Sequence, residues 1–402
     1  MMGRFAFLGC AVVSRLRSLV GNERRHSTPK NDPDPDPESY VLSKEESRAI
    51  FERDIVPAEL AALSLPAEPN VGDNVATDAR LPLAVLLIGQ TGAGKTRTAP
   101  AIKEAMVRLR GDRRLAHFVA DTYKTYHPAY LTLLATHPAL ASPVTRTDAR
   151  RWLVWAAAYA TQHRADVLVE SAPRHPADFA DLVSFFFGAS YRVEVAILAV
   201  PAALSRLEIL TRFYEGLPEA GPQGGLPIRL TPRNIHDESY AGLLEAAAFV
   251  DSSEGVEQVL VVRRDNMVAY VNECIGDQGF WKRELYIAEA VRAERERPLT
   301  LNEKRDAEYS LQKLRNMKVP GLEEELVEIE GLLKPLMVNL DGAAYTPLRP
   351  LRLPNSVQDK DFDTETGLKL GVISHITGYH ALPLKFTNPS TGFIDFSLHS
   401  SM

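Results

Sequence analysis

Eight consecutive residues, Gly89-Gln90-Thr91-Gly92-Ala93-Gly94-Lys95-Thr96, fit the pattern GxxxxGK[ST] and point to phosphate chemistry. Glycines let successive backbone N–H groups turn inward around a phosphate, and the start of a following helix adds its partial positive charge. In such a loop Lys95 reaches the β- and γ-phosphates, and the Thr96 hydroxyl holds Mg²⁺. The motif therefore predicts binding of ATP or GTP. Its surroundings agree. The unbroken apolar run Leu83–Ile88 reads as a buried strand, and a helical pattern over Thr96–Arg110 follows the loop. Pro100 lies past the first turn, where proline is comfortable, so a kink is expected there.

A phosphate loop alone does not separate motor, switch and kinase. The discriminating residues come downstream, in Phe118-Val119-Ala120-Asp121-Thr122-Tyr123-Lys124 and His127-Pro128-Ala129-Tyr130. An Asp at the carboxyl end of a strand beside the loop strand sits in the crevice where open α/β sheets bind ligands. There it could take the proton of a hydroxyl attacking the γ-phosphate. On residue type alone an Asp at a strand end is more often a helix N-cap, and both assignments stand at this point. His127 and His236 read as capping or packing residues, and Trp152, Trp155 and Phe185, Phe186 and Phe187 as core.

These segments resemble the zeta-toxin family of P-loop kinases. GQTGAGKT followed by D-T-Y-K-x-x-HP-x-Y carries the likeness first. Val167-Leu168-Val169-Glu170-Ser171-Ala172 is similar to the family's strand ending in E-G-T. Ala199-Val200-Pro201 through Arg212-Phe213-Tyr214-Glu215 is similar to its A-V-P…R-Y-E segment. Ile228-Arg229-Leu230-Thr231-Pro232-Arg233 with His236-Asp237 resembles its A-R-x-T-P-K-x-x-H-D segment. The resemblance implies Asp121 as general base, Lys95, Arg212 and Arg229 around the transferring phosphoryl group, Thr96 on Mg²⁺, and Glu170 beside the acceptor. Phosphoryl transfer asks for positioning and cations more than for covalent chemistry, and arginine's planar fork suits phosphate oxygens. The resemblance further implies ATP as donor and the 3′-hydroxyl of UDP-N-acetylglucosamine as acceptor. Ser171-Ala172 stands where the family has Gly-Thr, and a lost hydroxyl donor changes which acceptor a pocket takes. A kinase of the same build with another acceptor, and a nucleotide-dependent regulatory protein, are the alternatives. A protein partner of antitoxin type is compatible with the resemblance and unreadable from the residues.

The elements that must position these groups alternate along the chain. Strand candidates are Leu83–Ile88, Ala116–Ala120, Asp166–Val169, Arg192–Ala199 and Val256–Val262. Helical patterns lie between most of them, over Asp148–His163, Pro176–Phe187 and Ala202–Glu215. Apolar runs without polar alternation suit strands covered on both faces, so the expectation is an α/β fold with a mostly parallel sheet flanked by helices. A hairpin over Glu257–Val271 is expected at the sheet edge. Helical patterns also run over Leu301–Asn316 and Gly321–Leu336, and their charged stretches Lys304–Lys318 and Glu323–Glu330 read as a solvated pair or a partner surface. The division is a flexible arm and Pro/Asp linker (1–39), a P-loop kinase domain (40–275), a helical extension (276–340) and a tail of little periodicity (341–402). The Arg-containing stretch 1–25 leaves a mitochondrial transit peptide open beside a cytoplasmic location.

Composition excludes other classes. In 402 residues, 45% are apolar and the net charge is −6, which leaves no surplus of basic groups for nucleic acid or an anionic membrane. Cys10 and Cys274 are the only cysteines, too few for a disulfide framework or a cysteine zinc site. No apolar run reaches the ~18 residues of a spanning helix, and the chain reads as soluble and intracellular.

Overall fold

The computed structural model describes residues 37–64, 81–111, 113–216, 230–275, 280–338, 348–356, 362 and 366–371. The stretch 1–25, most of the Pro/Asp linker and Arg229 lie outside them. Strands β1 (Leu83–Gly89), β2 (Leu115–Val119), β3 (Asp166–Ser171), β4 (Arg192–Leu198) and β5 (Gln258–Val262) run parallel in the order β2-β3-β1-β4-β5. The sheet continues through antiparallel β6 (Met267–Ile275), against which β7 (Phe280–Trp281) and β8 (Arg349–Pro350) pair. After β1 the chain passes outward to β2 and back to β3. It then crosses to the other side of β1 for β4, so the crevice of an open α/β sheet falls at the carboxyl end of β1.

Every residue of β1 is buried, and the pleat divides them. Ala84, Leu86 and Ile88 join one core with Val167, Val169, Val195 and Ile197. Leu83, Val85 and Leu87 join the other with Leu168, Ala196, Leu198 and Leu260. Two-sided burial explains the unbroken apolar runs. The first core is closed by a helical arm, α1, which is α-helical over Lys44–Ile50, π-helical over Phe51–Leu60 and α-helical again over Ala61–Ser64. With it stand α4 (Pro138–Gln162), α5 (Pro176–Gly188), α7 (Arg233–Ser252) and α8 (Ile287–Glu296). The second core is closed by α2 (Lys95–Leu109), α6 (Ala202–Gly216), α9 (Leu301–Asn316) and α10 (Leu322–Leu333). A short α3 (Tyr130–Thr136) packs on the start of α4. None of the described helices is long and apolar enough to cross a membrane.

Several expectations change. Helix α4 begins at Pro138, ten residues before the expected Asp148, because Pro138 is tolerated at the first helical position and Pro143 hides the periodicity between them. The β5–β6 hairpin is interior, since β4 lies on one side and β7 and β8 on the other. Phe186 is fully buried but Phe187 is 52% exposed, because consecutive helical residues point about 100° apart and cannot share one face. Helices α9 and α10 are charged outside yet bury Leu311, Leu314, Leu326 and Ile329 in the second core, which they share with residues of α6. The expected tail also contributes. Leu368 and Leu370 are fully buried, the Leu370 and Gly371 N–H groups donate to the buried Glu194 carboxylate at 2.9 Å, and the Gln258 amide donates to the Gly367 carbonyl.

Candidate active site

The loop between β1 and α2 is built on backbone that only glycine adopts readily. Gly92 has φ 81° and Gly94 φ 99°. At Gly92 a Cβ would also overlap the carbonyl oxygen of Ser205, because α6 presses against the loop. Lys95 curls back and donates from Nζ to the carbonyl oxygens of Gly89 (2.7 Å) and Gln90 (3.3 Å). The Thr91 N–H is taken by Ser239 Oγ and that of Ala93 by the Gln90 carbonyl. The N–H groups of Gly92, Gly94, Lys95 and Thr96 have no acceptor among the described residues. Four open donors at a helix start, beside a lysine and the exposed Thr96 hydroxyl, fit a polyphosphate and its metal.

A buried polar layer holds the loop from below. The Gln90 amide donates to Val200 O (2.5 Å) and Ser205 Oγ (3.3 Å) and accepts from Arg295 (3.2 Å). Arg295 also donates to Tyr240 O and lies 3.7 Å over the Tyr240 ring. Burial pulls its guanidinium down to about 10. His236 sits against Ser205 Oγ at 2.8 Å and Asp237 at 2.9 Å, buried, and burial lowers its imidazole from the ordinary value. It supports the loop and stays away from the phosphate side, as its reading as a packing residue requires. His127 likewise packs, against Tyr40 O and Trp152. The hairpin turn adds a flank missed in the sequence: Asn266, at φ 62°, accepts from Thr98 Oγ1 of α2 (2.8 Å), and Arg264 lies beside Gly94.

Around Lys95 the remaining groups converge. Burial draws its ammonium down to about 8; Asp121 and Glu170 oppose that by charge attraction, and Arg212 adds to it by repulsion. Asp121 lies on the 3₁₀ turn Ala120–Tyr126 that leaves β2, with its side chain 70% exposed. Lys124, three residues on and one 3₁₀ turn away, pairs with it. Glu170, one residue before the end of β3, is buried, with one carboxylate oxygen 2.8 Å from His117 Nε2 on β2. Arg212 projects from the exposed side of α6 and has no carboxylate partner among the described residues. The contacts of Lys124 with Asp121 and of His117 with Glu170 were missed in the sequence. Lys124 had a signal, the i, i+3 spacing from Asp121; His117 had none, because its partner lies 53 residues away.

The Zeta toxin family model matches residues 70–274, half of the chain. Toxin PezT of Streptococcus pneumoniae serotype 4 (strain ATCC BAA-334 / TIGR4) is 28% identical over 192 residues, 47% of this chain and 71% of that protein. Among solved structures, the chain is similar to one from the PezAT chromosomal toxin–antitoxin system of Streptococcus pneumoniae. There the TM-score is 0.49 at 19% identity, over 68% of this chain and 98% of that one. It is also similar to the complex of AvrRxo1-ORF1 and AvrRxo1-ORF2 with ATP, with a TM-score of 0.41 at 14% identity, over 77% and 92%. The matched residues contain the phosphate loop, Asp121, Glu170 and Arg212. The chain belongs to the zeta-toxin family of P-loop phosphotransferases.

Proposed function

We propose that this protein transfers the γ-phosphate of ATP to a hydroxyl of a nucleotide sugar, with the 3′-hydroxyl of UDP-N-acetylglucosamine as the leading acceptor. The observation that carries the reading is the meeting of Lys95, Asp121, Glu170 and Arg212 at one crevice, as a kinase needs and a binding module does not. The open N–H groups after Gly92 and the Lys95 ammonium hold the phosphates. Glu170, oriented by His117, binds polar groups of the acceptor. Asp121 accepts the proton as the acceptor oxygen bonds to the γ-phosphorus. The bond from that phosphorus to the β–γ bridging oxygen breaks, and ADP leaves. Lys95 and Arg212 balance the charge on the equatorial oxygens. By the resemblance, Arg229 joins them. Thr96 would help hold a magnesium ion, which would supply further charge neutralisation.

Ser171-Ala172 in place of Gly-Thr favours a second reading in which the same machinery serves another hydroxyl acceptor. Because the pneumococcal relative belongs to a toxin–antitoxin system, a partner of antitoxin type is part of the proposal. Labelled ATP incubated with the protein and a panel of nucleotide sugars tests both readings. Phosphate on UDP-N-acetylglucosamine supports the first, and phosphate on a different acceptor supports the second. ATP binding with no acceptor labelled overturns both and leaves a regulatory nucleotide-binding protein.

A further inference from the structure

Past Glu170 the chain leaves β3 through Ser171-Ala172-Pro173-Arg174-His175 and enters α5. This link is fixed in place. A Cβ at Gly242 of α7 would overlap the Pro173 carbonyl oxygen, and Arg174 pairs with Glu238 of the same helix. Facing the link stand Arg146 and Arg150 of α4, four residues apart and so on one helix face. Arg150 pairs with Asp178. Arg146 has no carboxylate in contact among the described residues. Its guanidinium donates to His175 Nε2, and its Nε–H is buried without a partner.

The cluster holds three guanidiniums, Arg146, Arg150 and Arg174, against two carboxylates already engaged by Arg150 and Arg174. Burial, with the three arginines around it, holds the His175 imidazole down at about 4. At neutral pH it is an uncharged acceptor that orients Arg146 and leaves its charge unspent. A half-buried, pre-oriented guanidinium with open donors matches an oxyanion such as phosphate. The place is also suitable. The link begins at Ser171, next to Glu170, and α4 packs against the turn that carries Asp121, through Trp152 and Tyr123 in one core. The cluster thus adjoins the strand end that carries Glu170 and the turn that carries Asp121.

We propose that Arg146 and Arg150, oriented by His175, seat an anionic group of the acceptor of the phosphate-ester or diphosphate class, while its hydroxyl is presented to Asp121. Only the placing of the hydroxyl rests on the kinase reading above. Calorimetric titration of the Lys95→Ala protein, with the phosphate loop disabled, uses UDP, inorganic pyrophosphate and uridine as probes. UDP and pyrophosphate should bind. Adding Arg146→Gln should weaken both by about 10-fold or more, as loss of a charge-assisted hydrogen bond does. Arg146→Lys should recover part of the loss, and uridine binding should not respond to any of these changes. An unchanged thermal transition in the variants checks that the fold survives. UDP and pyrophosphate binding that ignores Arg146, or no binding of either, overturns the site. Pyrophosphate bound through Arg146 in a protein that labels no acceptor would instead sink the kinase reading and keep the site.

Discussion

Asp121 and Lys95 are each close to another charge that conditions what they do. Asp121 is exposed to the crevice but tied to Lys124, so the carboxylate is oriented before an acceptor arrives. Asp121→Ala should keep ATP binding and lose transfer by about 10²-fold or more, the scale of general-base catalysis. A single-turnover assay beside a binding titration measures the two, and full activity in the variant removes Asp121 from the role. Lys95 titrates at about 8 in the free protein because burial disfavours its charged form. Bound polyphosphate favours that form, so nucleotide affinity should fall as pH rises through that value, and binding at about pH 9 should take up a proton. Calorimetry in buffers of different ionisation enthalpy reads that proton directly. Equal enthalpies in both would show that Lys95 stays charged. At this scale the sequence was informative for Lys95, Thr96 and Asp121, whose motifs are local. It was blind to His117 beside Glu170 and to Arg295 beneath Gln90, since the Arg295–Gln90 contact spans 205 residues.

The strand–loop–helix unit depends on how closely α6 approaches the loop. Gly92 combines a left-handed φ with contact to the Ser205 carbonyl, so Gly92→Ala should cost about 2 kcal/mol or more in stability and weaken nucleotide binding with it. Gly331, inside α10 with open space where a Cβ would go, gives the contrast: Gly331→Ala should stabilise by about 0.5–1 kcal/mol. Denaturant unfolding of the two variants measures both signs, and equal effects would show that the loop tolerates a side chain. Helices with plain signals were legible, such as α9, whose Thr300–Glu303 capping box marks its start. The beginning of α4 was not, because two prolines interrupt the apolar repeat that defines a helix in sequence.

Across the whole molecule, distant segments complete both cores. The segment 366–371 closes the amino-terminal edge of the sheet, opposite the phosphate loop, with Leu368 and Leu370 buried and two N–H groups on Glu194. Ending the chain after residue 356 would remove those leucines and take two of the three donors from the buried Glu194 carboxylate, leaving Arg192. The loss should be about 4 kcal/mol or more, with a lower thermal midpoint. A midpoint equal to that of the full chain would show that the strap is dispensable. Segments such as this, and the hydrophobic stripes of α9 and α10, read as tail and solvated surface in the sequence because their partners come from elements far away in the chain. The sequence by itself determined the phosphate loop, the strands of the parallel sheet and the family, since each is written in contiguous residues whose backbone preferences and periodicity act locally. Only the tertiary structure decided which side chains meet. The strand order brings the ends of β1, β2 and β3 to one crevice, and helices pack on both faces of the sheet around it.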